Sequence, residues 1–76
     1  MNTKNLNAAK RLFKKNFLGS DLEREVRSLG KNIGGTQAAH RVHGMFGEIC
    51  TLMGVELRND FFTVAEKEAV ALCHRR

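Results

Sequence analysis

Residues 36–53 read TQAAHRVHGMFGEICTLM, a long stretch in which the formal charges are Arg41 and Glu48. Apolar side chains recur along it at alternating steps of three and four residues, the spacing that places side chains on one face of an α-helix. This apolar stripe consists of Ala39, Val42, Phe46, Ile49 and Met53, widened by Ala38, Met45, Cys50 and Leu52. A stripe of this width is typical of a helix with several neighbours. We therefore predict a central helix over residues 37–53.

Two glycines, Gly44 and Gly47, lie inside this predicted helix, where each costs about 1 kcal/mol relative to alanine. Together with His40 and Thr51 they form a narrow strip beside the apolar stripe. One interpretation is a close contact with another helix, from this chain or from a second copy. The other is a break near Gly44 that divides the stretch into two short helices. We favour a continuous helix, because the three-four spacing crosses both glycines without a change of phase.

Three further amphipathic patterns flank the central one, over residues 4–18, 21–29 and 60–74. Their predicted inward-facing residues are Leu6, Ala9, Phe13 and Phe17 in the first, Leu22, Val26 and Leu29 in the second, and Phe61, Phe62, Ala65, Ala69 and Leu72 in the last. We predict an all-α fold, a compact bundle of about four helices packed around the central helix, forming a single domain over residues 1–76.

The composition limits where the chain acts and how it is stabilised. No apolar run approaches the roughly 20 residues of a membrane span, and MNTKNLNAAK lacks the apolar segment of a signal peptide, so we expect a cytoplasmic protein. A chain of 76 residues buries only about 60% of its unfolded surface, which makes a homodimer a second expectation. Cys50 and Cys73 are predicted to be buried apolar residues, with a disulfide between them left open.

The positive charge of the chain is concentrated near its amino end. Residues 1–17 carry five basic side chains and no acidic one, whereas residues 18–76 carry eight of each, so the first segment accounts for the net charge of +5. The five basic residues are Lys4, Lys10, Arg11, Lys14 and Lys15. On a helix they share the arc opposite the predicted apolar face. This asymmetry is the strongest functional indication in the sequence.

The basic arc admits several interpretations. It is a solvated helix face, or it contacts the phosphates of nucleic acid, with Arg75 and Arg76 assisting. Alternatively it docks on an acidic surface of another protein, where the same charges raise the association rate. Binding to a membrane surface is weaker as a hypothesis, because Phe13 and Phe17, opposite the lysines, are needed for the small core.

Motifs for catalysis are absent from the sequence, which has no G-x-S-x-G, P-loop, H-E-x-x-H or C-x-x-C pattern. His40 and His43 lie one turn apart on the central helix, with Cys50 two turns further on, but this spacing matches no standard zinc site. A helix-turn-helix beginning at Thr36 is also disfavoured, because Gly44 comes one residue too early for its turn. The segment after Gly44 is moreover too apolar to contact base edges.

Two hypotheses for function remain from this sequence, and both expect a non-enzymatic protein without metal or cofactor. The first is a small regulatory protein that binds nucleic acid mainly by phosphate contacts from its first helix. The second is an interaction module that binds and inhibits or adapts a larger protein, as a homodimer formed through His40, Gly44, Gly47 and Thr51.

Overall fold

The structure, a computed structural model, describes the backbone of residues 3–74 and the side chains of residues 5–74. Four helices account for most of this part of the chain: α1 Thr3–Phe17, α2 Asp21–Leu29, α3 Gln37–Leu52 and α4 Phe61–His74. No strand occurs among the described residues. The predicted all-α bundle is confirmed, and the predicted helix ends agree with the observed ones to within one residue. No described helix has the length and apolar character needed to cross a membrane.

Helix α3 is continuous and packs against all three other helices. It begins where the Thr36 hydroxyl accepts a hydrogen bond from the backbone N–H of Ala39 at 3.1 Å, as expected of a threonine N-cap. It ends before Gly54, whose φ of +74° is the left-handed conformation that glycine adopts readily. Because no turn occurs at Gly44, a helix-turn-helix centred there is excluded by the structure.

The core is organised around phenylalanines on α1 and α3. Phe13 stacks on Phe17 within α1 and tilts against Phe46 of α3, with ring centroids 5.1 Å apart in both pairs. All three rings are buried. Phe61 of α4 extends the cluster, its ring centroid 5.9 Å from that of Phe46. Aromatic pairs at these separations contribute beyond their buried area, so this cluster holds α1 and α4 against α3.

Three predicted inward-facing residues lie at the surface instead. Leu29 at the end of α2 is 42% exposed and Phe62 at the start of α4 is 57% exposed. Leu52, at the end of α3, is 77% exposed. Each of them lies on the edge of its apolar stripe, where a bundle this small has no further helix to cover it.

The two cysteines are free and buried. Helices α3 and α4 run antiparallel, because His43 contacts Glu66 and Gly47 faces Phe61. Residue 73 therefore lies beside the start of α3, about 14 residues from Cys50, which is roughly 20 Å along a helix. A disulfide needs Cα atoms within about 7 Å, so this fold does not allow one between Cys50 and Cys73.

Both thiols should react slowly in the folded protein. Burial raises the pKa of the Cys50 and Cys73 thiols, and this reduces the thiolate fraction that attacks a reagent at neutral pH. We expect labelling by a thiol-specific reagent to be slow in buffer and fast in denaturant for each of the Cys50→Ala and Cys73→Ala variants, measured by mass spectrometry. Rapid labelling of either folded variant would contradict the burial described here.

Gly44 and Gly47 differ in what a side chain would meet. A Cβ atom at Gly47 would lie 3.1 Å from Cζ of Phe61, whereas one at Gly44 would meet nothing within 4 Å. We expect Gly44→Ala to raise the free energy of unfolding by about 1 kcal/mol through helix propensity. Gly47→Ala gains the same propensity but must displace Phe61, so its net effect should be clearly smaller or destabilising. Chemical denaturation of the two variants measures both, and equal stabilisation would contradict the close contact at Gly47.

Candidate functional site

The outward face of α1 carries Lys10, Arg11, Lys14 and Lys15, a set we call the cationic ridge. Its position follows from the opposite face of the helix, where Ala9, Phe13 and Phe17 are fully buried. Arg11, Lys14 and Lys15 are exposed, and Lys10 is half-buried. Three other predicted contributors cannot be placed: the side chain of Lys4, and Arg75 and Arg76, lie outside the described residues.

Elsewhere in the bundle, many basic side chains are paired with the chain's own carboxylates. Arg24 pairs with Asp21 and Arg27 with Glu23 within α2, whereas Arg41 of α3 reaches Glu25 of α2 at 2.6 Å. Within the described part of the chain, no carboxylate lies within 4.0 Å of Arg11, Lys14 or Lys15. Lys31, Arg58 and Lys67 are also unpaired there; Lys31 and Lys67 line one surface depression beside α4, and Arg58 lines another. The uncompensated positive charge is therefore densest on the cationic ridge.

Lys10 forms the edge of the ridge that faces α4. Its Nζ lies 4.0 Å from Oε1 of Glu68, and the two side chains are 36% and 18% exposed. At this distance and exposure the pair contributes little to stability and leaves much of the lysine's charge available. Lys10 thus belongs to the ridge, but Glu68 partly offsets its charge.

The predicted strip of His40, Gly44, Gly47 and Thr51 is only partly covered. Gly47 meets the Phe61 ring of the same chain, which accounts for the absence of a side chain there. His40, Gly44 and Thr51 are exposed. The close contact expected from the sequence is therefore supplied by α4 at Gly47, and the rest of the strip faces solvent.

The two histidines of α3 are not brought together as metal ligands. His43 Nε2 lies 2.6 Å from Oε2 of Glu66, and its ring lies against Phe62 at a centroid distance of 4.4 Å. His40 is exposed. No group of three or more metal-ligating side chains occurs among the described residues. The His43–Glu66 contact joins α3 to α4, a pairing that no spacing in the sequence indicates.

An open apolar groove runs between α1 and α3. Its lining residues are Leu12, Asn16, Met45, Glu48, Ile49, Thr51 and Leu52. We call this surface the α1–α3 groove. Sequence reasoning placed Met45 and Leu52 in the core and therefore missed it.

Arg27 is bonded to two other parts of the fold, although its side chain is 53% exposed. Its guanidinium donates to Glu23 at 2.5 Å and to the backbone oxygen of Cys73 at 2.6 Å, which ties α2 to the end of α4. The backbone N–H of Gly19 donates to the other oxygen of Glu23 at 2.8 Å. The bond from Arg27, and then that from Gly19, hold the pKa of Glu23 below its usual range.

This network predicts a pH-dependent contribution to stability. A carboxyl whose pKa is lowered by folding stabilises the fold above its unfolded pKa, and that contribution is lost as the pH falls through the folded value. We expect Arg27→Gln to raise the pKa of Glu23 towards the ordinary value and to destabilise the protein more at about pH 7 than at about pH 3. NMR titration and denaturation at the two pH values measure this.

The matched control is Arg41→Gln, which removes a cross-helix ion pair that does not touch Glu23. It should leave the pKa of Glu23 unchanged. An equal loss of stability at both pH values for Arg27→Gln would mean that its bond to Cys73 is the main contribution of this arginine.

Comparison of the chain with protein-family models, with curated proteins and with solved structures found no match in any of the three. What the protein does is therefore inferred from its own charge and geometry.

Proposed function

We propose that this protein binds nucleic acid without strong sequence preference, as a non-enzymatic regulator, through phosphate contacts from the cationic ridge. The observation that carries the proposal is the exposure of Arg11, Lys14 and Lys15 without a carboxylate from the described chain beside them. Basic side chains that are not already paired are free to replace the counterions of a polyanion, and the release of those counterions drives binding.

The spacing of the ridge suits a phosphate backbone. Residues 10–15 rise about 7.5 Å along a helix, since each residue adds about 1.5 Å. One DNA strand carries a charge about every 3.4 Å along the duplex axis, so the ridge lies beside two or three successive phosphates of one strand. The lysine and arginine side chains are long enough to reach phosphates at the edge of either the major or the minor groove of DNA. Phosphate contacts carry no sequence information, which is why weak specificity is proposed.

Rigid support strengthens the proposal. The ridge residues alternate along α1 with fully buried Phe13 and Phe17, so the helix is held at both its middle and its end. The cations are therefore presented without a folding step, and little ordering of the backbone opposes binding.

A second candidate is an acidic protein surface, and the observation that favours it is the α1–α3 groove beside the ridge. Apolar contacts in a groove together with flanking cations are a common basis for protein recognition. In this function the chain binds and inhibits or adapts a larger protein. It differs from the first in needing the groove as well as the charges.

Salt dependence and a charge-matched pair of variants test the first function. We expect the affinity for unrelated duplexes to fall with a log–log slope of about −2 to −3 against salt concentration, for two or three phosphate contacts. Lys14→Gln with Lys15→Gln should reduce that slope by about 2 and weaken binding equally for all sequences. Fluorescence anisotropy at several salt concentrations measures both.

The control is Lys31→Gln with Lys67→Gln, which changes the net charge by the same amount at two unpaired lysines outside α1. This double variant should retain most of the affinity for duplexes and most of the salt-dependence slope. Equal losses from the two double variants would show that overall charge matters and the ridge does not. A protein that binds no duplex at low salt, yet captures an acidic protein in a lysate treated with nuclease, would favour the second candidate.

A further inference from the structure

We propose that a cavity at one end of the bundle binds a free amino acid with a large apolar side chain. The cavity has a volume of about 280 Å³ and lies where α1, α3 and α4 meet the loop over residues 53–60. We call it the apolar cavity. It shares no lining residue with the α1–α3 groove or with the cationic ridge, and binding there requires no nucleic acid.

The residues that line the cavity divide into an apolar wall and a charged mouth. Three helices and the loop contribute to the wall, which consists of Leu6, Phe46, Cys50, Val55, Phe61 and Val64. Leu6, Phe61 and Val64 are only half-buried, so they lose further surface to water when the cavity is filled. A wall of this kind holds water poorly and favours an apolar group.

The volume of the cavity suits a side chain such as that of phenylalanine or leucine. An apolar cavity of about 150 Å³ accepts benzene, and sites for small molecules begin at about 300 Å³. At about 280 Å³ the apolar cavity has room for a benzene-sized group together with the few atoms that carry it. The ligand is therefore a small molecule with one apolar group.

The mouth of the cavity carries charges of both signs. Glu56, Arg58 and Asp60 line it, and all three are exposed. Within the described part of the chain, none of the three has an oppositely charged group within 4.0 Å, although they are spaced only two residues apart. Their charges are therefore available to a ligand that enters the cavity.

These charges distinguish an amino acid from other small apolar ligands. A guanidinium binds a carboxylate through charge-assisted hydrogen bonds, and a carboxylate binds an ammonium group in the same way. An apolar acid would meet the like charges of Glu56 and Asp60, and an apolar amine would leave Arg58 without a partner. An amino acid offers its carboxylate to Arg58 and its ammonium group to the acidic side chains, while its side chain fills the cavity.

NMR titration of the isotope-labelled full chain tests the proposal, with L-phenylalanine as the probe. We expect saturable shifts of the amide signals of Cys50, Val55 and Val64. The expected Kd is about 1 mM, the usual scale for a ligand of about a dozen non-hydrogen atoms. N-acetyl-L-phenylalanine lacks the ammonium charge and L-phenylalaninamide lacks the carboxylate, so each should bind about ten-fold more weakly. Glycine, which has both charges and no side chain, should not bind.

Variants of the mouth and of the wall give the sharper test. Arg58→Gln should weaken binding of L-phenylalanine by about ten-fold but should not weaken binding of L-phenylalaninamide, which has no carboxylate for Arg58 to bind. The matched control is Lys67→Gln, which changes the net charge equally outside the cavity and should leave both affinities unchanged. Val64→Phe should abolish binding by filling the cavity, and circular dichroism shows whether each variant is folded.

The absence of saturable shifts with L-phenylalanine would overturn the proposal. So would equal affinities for L-phenylalanine and its N-acetyl and amide derivatives, since the cavity would then recognise only apolar character. Equal effects of Arg58→Gln and Lys67→Gln would contradict the role of the mouth. The double variant Lys14→Gln with Lys15→Gln should bind L-phenylalanine as the unchanged chain does, so this proposal and duplex binding fail or survive separately.

Discussion

The packing of Phe13 against Phe46 is the contact on which the other features depend. It fixes α1 along α3, with the two ring centroids 5.1 Å apart and both rings buried. One face of α1 is buried by this contact. The basic residues lie on the opposite face of the helix and therefore point towards solvent. The same contact sets the levels at which residues of the two helices face each other. The cationic ridge and the α1–α3 groove are thus two consequences of one docked helix.

The electrostatics of the chain divide into charges that hold helices together and charges that do not. Arg27 joins α2 to α4 through Glu23 and a backbone oxygen, and Arg41 joins α3 to α2 through Glu25. These bonds hold each guanidinium group in one position. The ridge residues of α1 make no such bonds in the described part of the chain, apart from the distant contact of Lys10 with Glu68. The net charge counts the paired arginines and the ridge residues alike. The fold distinguishes them, because it pairs only the former with acceptors from the same chain.

The helices could be predicted because three-four spacing and capping residues are local properties. The spacing through Gly44 and Gly47 indicated one continuous helix, and the Thr36 cap is observed as expected. The exposure of Leu29, Leu52 and Phe62 could not be predicted, since it depends on which flank of each stripe a neighbour covers. Contacts such as His43 with Glu66 depend on how helices are placed beside each other, which periodicity does not reveal. The groove was missed for the same reason.

Structural and charged residues are interleaved along α1, where Lys14 and Lys15 directly follow Phe13 and precede Phe17. A helix turns by about 100° for each residue. Insertion or deletion of a single residue within this segment would therefore rotate the lysines towards the core and the phenylalanines towards solvent. The charge pattern of this helix can consequently change by substitution at individual positions, but its length between residues 10 and 17 is constrained by the aromatic core beneath it.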